Sequence, residues 1–294
     1  MSASDPIPIL PGIASLIERY DGVVLDLWGV VHDGKTPYPG ATATLSRLLE
    51  AGKPVVMLSN APRRAEAVMT GMEEIGISRM LYTNVLSSGE LTWRALRDRP
   101  DDWLKGLGRR CLHIGPERDR GLFDGLDLLQ IASPEKGAFI VNTGPWRDEE
   151  TVEDYEEVLA ASVAAGMPMI CANPDLEVIR GGTRIICAGA LAQHYAASGG
   201  AVRSYGKPYP EAYAACRALM NLPGSARLVA VGDSLATDIR GANVAGIDAV
   251  LVTSGIHARE LGLAYGESPD PERLAAAALR AEVRIAAAIP AFFW

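Results

Sequence analysis

The sequence predicts an α/β fold, a doubly wound parallel sheet with a second α/β segment inserted into it. Three observations carry that prediction. Short β-branched runs alternate with longer stretches of helical periodicity, the pattern of parallel strands joined by crossover helices. Hydrophobic residues make up 48% and charged residues 22% of the 294 positions, a globular balance that excludes disordered, collagen-like and coiled-coil chains. A chain of this length buries roughly three quarters of its unfolded surface, enough for one large domain or a core with an insert.

Taken in order, residues 23–27 read as a buried strand and residues 43–51 as an amphipathic helix built on Leu45, Leu48 and Leu49 and closed by Gly52. A strand at 55–58 follows, then a helix at 64–75 ended by Gly76 and another at 89–97. The segment 100–108, with Pro100 and Gly108 at its ends, reads as a boundary. Beyond it come strands at 111–114, 139–142 and 169–172, with an acid-rich helix at 149–165 between the last two. This middle block is expected to bury a core of its own. The alternation then resumes with a helix at 210–220, a strand at 228–231, a helix at 238–245, a strand at 249–252 and a final helix at 271–289. The expected division is a core from 1–88 and 204–294, with an insert at 89–203.

Several function classes are disfavoured. The net charge of -8 repels phosphate backbones, so no nucleic-acid partner is expected. No run reaches the eighteen or so apolar residues of a membrane span, and residues 1–10 lack the basic start and apolar run of a signal peptide. A cytoplasmic protein is expected. Cys111, Cys171, Cys187 and Cys216 are widely spaced beside apolar residues, which fits buried reduced thiols better than disulfides or a zinc site. His113, His194 and His257 show no metal-ligand spacing and read as core or surface histidines. Phe292, Phe293 and Trp294 must dock on the core or on a partner.

In an open parallel sheet ligands bind at the carboxyl ends of the strands, so polar residues just after apolar runs are the ones to collect. Asp26 follows Val23-Val24-Leu25, Ser59 and Asn60 follow the 55–58 strand, and Asp233 follows the 228–231 strand, with Asp238 five residues on. Lys207, in Gly206-Lys207-Pro208, precedes a helix. Each alone is a common turn or cap residue. Together, carboxylates able to hold Mg²⁺, a lysine, a hydroxyl and an amide are the equipment of phosphoryl transfer.

These motifs resemble the haloacid dehalogenase (HAD) superfamily, class IIA, which includes sugar, nucleotide and 4-nitrophenyl phosphatases. The resemblance runs from about Asp21 to Gly255 and rests on Leu25-Asp26-Leu27-Trp28-Gly29-Val30, Leu58-Ser59-Asn60, Gly206-Lys207-Pro208 and Gly232-Asp233 with Asp238. Asn173-Pro174-Asp175 and Gly189-Ala190-Leu191 in the middle block are also similar. It implies a HAD core with an inserted α/β cap, a small phosphate ester as substrate, Mg²⁺ as cofactor and assembly as a homodimer. Asp26 would be the nucleophile that forms an aspartyl-phosphate, Ser59 and Asn60 would bond the phosphoryl group, and Lys207 would balance its charge. Asp26, Asp233 and the backbone carbonyl of Trp28 would ligate Mg²⁺, with Asp238 positioning Asp233 or a metal-bound water. Asn173 and Asp175 would face substrate from the cap.

One residue departs from the pattern. Family phosphatases carry a second Asp two positions after the nucleophile, which protonates the leaving oxygen and then activates water; here Trp28 stands there, and an indole can do neither. Three explanations are open. His32 or Asp33 could replace the missing acid, the substrate could carry a leaving group that needs none, or the protein could bind phosphorylated ligands with little or no turnover, Trp28 serving as a stacking surface.

Overall fold

The structure, a computed structural model, describes residues 6–180 and 183–294; the first half of the 1–10 stretch lies outside the described residues. In chain order the strands are β1 (Gly22–Leu25), β2 (Val55–Ser59), β3 (Asn84–Ser87), β4 (Arg110–Ile114), β5 (Leu129–Ile131), β6 (Phe139–Asn142), β7 (Met169–Cys171), β8 (Glu177–Arg180), β9 (Thr183–Ile186), β10 (Val202–Ser204), β11 (Leu228–Gly232), β12 (Asp248–Val252) and β13 (Ala287–Ile289). The chain forms two compact units. One contains the chain up to Ser59, Met69–Leu86 and Lys207–Trp294, and the other contains Asn60–Val68 and Ser87–Gly206.

The first unit is built on a six-stranded sheet in the order β13-β12-β11-β1-β2-β3. The pairings of β1 with β2 and β11, of β11 with β12 and of β12 with β13 are all parallel. Strands buried on both faces need continuous apolar runs, and β1, β2 and β11 are buried at every position. The order matters for function. From β1 the chain winds outward through β2 to β3, and from β11 it winds the other way through β12 to β13, so the switch of direction lies between β1 and β11. Connections leaving a parallel sheet in opposite directions open a crevice at the carboxyl ends of the two central strands.

The second unit carries its own five-stranded sheet, ordered β10-β7-β6-β4-β5, and an antiparallel β8-β9 pair. Its strands obey the period of two on which buried sheets depend. Leu112, Ile114, Ile140, Met169 and Cys171 pack into one core, while the alternate residues Cys111, Phe139, Val141, Ile170 and Ala172 pack into the other. The middle block therefore does bury a core of its own. Glu90 anchors the 60–68 segment within this unit: its carboxylate accepts from Arg64 Nε at 2.7 Å and Arg94 Nε at 3.0 Å. Burial alone would push Glu90 up, but the two guanidiniums outweigh it and hold the carboxyl below its ordinary range.

The last helix differs from the sequence expectation of 271–289. It spans Pro271–Arg280, and Glu282 then takes a positive φ of 52°. Asn243 fixes the departing chain, donating to Arg284 O at 2.9 Å and accepting from Arg284 N at 2.6 Å. Ala287–Ile289 becomes strand β13 because pairing with β12 buries it completely, overriding the helix preference of alanine. The aromatic tail docks on the core: Phe292 is buried, Thr44 Oγ1 donates to Phe292 O at 3.2 Å, and Ile13 N donates to Phe293 O at 2.8 Å. All four cysteines are buried and none is in a disulfide.

Candidate active site

Asp26 is the residue after β1 and Asp233 the residue after β11, so the switch in winding sets two carboxylates on adjacent strand ends. The backbone register makes this specific: Leu25 pairs with Val231, and Asp26 N donates to Val231 O at 2.9 Å. Asp238 returns to the same place through a π-turn at Leu235–Ile239, a geometry frequent at functional sites. Ligand atoms of Asp26, Asp233 and Asp238 all lie within 4.8 Å of one another, and all three residues are buried.

The ammonium of Lys207 faces them. Lys207 is 3% exposed, and its Nζ donates to Asp26 Oδ1 at 2.5 Å and to Asp238 Oδ1 at 2.8 Å. Burial is the main reason the Asp26 carboxyl is pushed well above its ordinary range; Asp238 and Asp233 raise it further, and Lys207 opposes them. Tyr213 holds the Asp238 backbone from behind, its hydroxyl donating to Asp238 O at 2.9 Å. Ser59 ends β2, next to β1 in the sheet, and is buried.

Some of what shapes the cluster lies in residues the sequence reading passed over. A Cβ on Gly29, whose φ is +84°, would lie 2.1 Å from Asp233 Oδ2, and one on Gly255 would lie 2.0 Å from the same atom. Both glycines are therefore required by the approach of the backbone to this carboxylate. Ile256 N donates to Asp233 Oδ2 at 2.7 Å. The signal that could have found them is the one that found Asp26: Thr253, Ser254 and Gly255 directly follow the apolar strand β12.

The other sequence-predicted residues divide into two groups. In the second unit, Asn60 Nδ2 donates to Asp175 Oδ1 at 2.8 Å, and Asn173 Oδ1 accepts from Asp175 N at 3.1 Å, so these three form one connected set. In the first unit, the half-buried Trp28 lies edge-on to His32 with ring centroids 5.6 Å apart, and its indole covers the Gly34 backbone. His32 is 8% exposed, and its Nδ1 accepts from Gly34 N at 3.0 Å. Asp33 is exposed and turned to its own loop: Oδ1 accepts from Lys35 N and Thr36 N, each at 2.8 Å. Those amides hold the Asp33 carboxyl below its ordinary range, the reverse of what an acid near neutral pH needs. His113 is a structural histidine: Thr143 Oγ1 lies 2.9 Å from its Nε2, and burial lowers the ring to about 4.

The family profile for haloacid dehalogenase-like hydrolases matches residues 23–128, and a HAD-hydrolase-like profile matches 204–277. The chain is 34% identical to a haloacid dehalogenase-like family hydrolase from Brucella suis, covering 96% of this chain and 99% of that one with a TM-score of 0.80. The chain belongs to the haloacid dehalogenase-like hydrolase family. The HAD fold is shared with a glycerol phosphate phosphatase from Mycobacterium tuberculosis solved in complex with magnesium, at 25% identity and a TM-score of 0.62, over 84% of this chain and 71% of that one. Among curated relatives, the 4-nitrophenylphosphatase of Schizosaccharomyces pombe is 26% identical over 278 residues, 83% of this chain and 87% of its own length. No helix among the described residues is long and apolar enough to cross a membrane.

Proposed function

We propose that the protein is a Mg²⁺-dependent phosphoric monoester hydrolase that acts on a small phosphate ester through an aspartyl-phosphate on Asp26. The observation that carries this reading is the buried cluster in which Lys207 bridges Asp26 and Asp238 beside Asp233. Three carboxylates facing one ammonium leave two negative charges in excess when all are ionised, and an oxygen donor set of this kind suits a hard divalent cation. Asp26, Asp233 and the carbonyl of Trp28 would hold it, with Asp238 beside them. When bound, Mg²⁺ supplies positive charge to the oxygens of the transferring phosphoryl group.

The remaining steps fall to the chain. One Asp26 oxygen attacks phosphorus as the bond to the ester oxygen breaks, and the leaving oxygen takes a proton from a neighbouring acid or from solvent; water then attacks the phosphorus of the aspartyl-phosphate, releasing inorganic phosphate and the Asp26 carboxylate. Lys207 steadies Asp26 and the charge that develops, while Ser59 and Asn60 donate to phosphoryl oxygens. The second unit, with Asn173 and Asp175, serves as the substrate-selecting cap. With its Nδ1 accepting from Gly34 N, His32 would pass a proton to the leaving oxygen through Nε2. The lowered Asp33 carboxyl favours His32 over Asp33 in that role.

Trp28 also favours a slower variant of the same chemistry, in which a phosphoenzyme forms and persists. Loss of general acid–base help costs about 10²- to 10⁴-fold in rate. The test is steady-state hydrolysis by metal-stripped protein with and without added Mg²⁺, using an aryl and an alkyl phosphate. Hydrolysis should require the metal, and the aryl ester should be cleaved on the order of 10²-fold faster than the alkyl ester. Equal rates on the two would remove the missing-acid argument, and metal-independent hydrolysis would remove the reading itself.

A cytoplasmic homodimer completes the proposal. The four buried cysteines, none in a disulfide, support a reducing compartment. Leu176 and Ile179, 53% and 40% exposed, put apolar surface on and just before β8 and support self-association. Light scattering should return twice the chain mass; a monomer at micromolar concentration would refute the dimer.

A further inference from the structure

The sequence gives His257 no role, yet its ring joins the acidic site to the helix surface. The π-turn begins with Asp238 N and Ile239 N both donating to Ser234 O, at 3.0 and 3.1 Å. The Ser234 hydroxyl accepts from Thr237 N at 3.3 Å, so the first amide of the turn, Leu235 N–H, needs an acceptor from elsewhere. His257 Nε2 provides it at 3.3 Å. An amide can only donate, so Nε2 presents the lone pair and Nδ1–H donates to Glu260 Oε2 at 3.0 Å. Arg280 fixes Glu260 in turn through a salt bridge. The residue before His257 is also engaged, since Ile256 N donates to Asp233 Oδ2.

We infer that His257, oriented by Glu260, is a positioning residue that holds the 233–238 loop so that Asp233 and Asp238 face a bound divalent cation. The inference rests on the reading of the acidic cluster as a metal site. Its physical basis is that a carboxylate is aimed by the backbone that carries it. Leu235 lies between the two acids, and one bond to a side chain 22 residues away fixes that backbone. Removing the imidazole leaves the Leu235 amide without its acceptor and lets the turn reorient. Outer partners of metal sites that act in this way typically change metal affinity by about 10- to 100-fold.

The test is Mn²⁺ binding by isothermal titration calorimetry to the full chain and to His257→Ala, His257→Gln and Asp233→Asn, together with amide hydrogen exchange at Leu235. His257→Ala should weaken Mn²⁺ binding about tenfold or more and speed exchange at Leu235. His257→Gln, whose amide oxygen can accept at the Nε2 position, should recover most of both effects. If Asp233→Asn loses Mn²⁺ but His257→Ala binds it as the natural chain does, the positioning role is overturned and the metal site stands. Should the natural chain bind no Mn²⁺, or Asp233→Asn bind it unchanged, the metal site falls and takes this inference with it.

Discussion

Asp26→Asn should lower turnover of an aryl phosphate by on the order of 10⁴-fold or more, the scale of removing a nucleophile. The reason is geometric as well as chemical. Asp26 sits where β1 ends at the switch in winding, with Lys207 Nζ 2.5 Å from Oδ1, so Asn keeps the shape and loses the attacking charge. Rapid quench with labelled phosphate ester and Mg²⁺ separates the two halves of the reaction. The natural chain should show a burst of labelled protein equivalent to the active sites, then slow release, because Trp28 offers no base to the second step. The mutant should show neither phase. A mutant within tenfold of the natural rate would exclude Asp26 as the nucleophile.

Lys207→Met should act on both stability and rate. Nothing else among the described residues is shown donating a positive side chain to Asp26 or Asp238, and all three residues are buried. Leaving buried charge uncompensated costs about 3–5 kcal/mol, so urea unfolding of metal-free Lys207→Met should show a loss of that order. The pH dependence has a definite sign. Asp26 is raised in the folded protein, by burial first and then by Asp238 and Asp233, so its contribution to stability is greatest below the ordinary carboxylate pKa. That contribution is lost as pH rises through the raised value, and in Lys207→Met, with the opposing ammonium gone, the loss should be larger. Mg²⁺ should restore part of the stability by supplying the missing positive charge. Turnover should fall about 10²- to 10³-fold even at saturating Mg²⁺, because the ammonium also steadies the transferring group. Unchanged unfolding together with unchanged turnover would show that the bridge to Asp26 and Asp238 is not functional.

The residues of the acidic site were legible because the rule that finds them is local. A charged residue directly after a continuous apolar run marks the end of a buried parallel strand, and Asp26 and Asp233 both meet that condition. Lys207 was legible only through its motif, since nothing nearby in the sequence says which carboxylates it reaches. The glycines around Asp233 and the bond from His257 to Leu235 were not legible, for they depend on how loops after different strands approach each other. Secondary structure divided along the same line. Long apolar strands and capped helices stood out, whereas three-residue strands such as β5 and β10 carry too few positions for any period to register. Alanines 286–288 read as helix because propensity is local, and they pair with β12 because sheet formation is not.

The placement of the tail against residues 12, 13 and 44 has a consequence for synthesis. The chain at Pro8 and Leu10 bonds to Ala288, and the backbone at Gly12 and Ile13 lies against residues 293 and 294. The first unit thus joins residues 8–13 to residues 288–294, so its outermost pairing waits until both of these distant segments have been made. The second unit draws only on Asn60–Val68 and Ser87–Gly206, all of which leave the ribosome about ninety residues sooner. Domains fold as units during synthesis, the earlier-completed one first. A growing chain would hold a finished second unit while β1 and β2 still lack β11, and the acidic site, which needs Asp233 and Asp238, would assemble only afterwards.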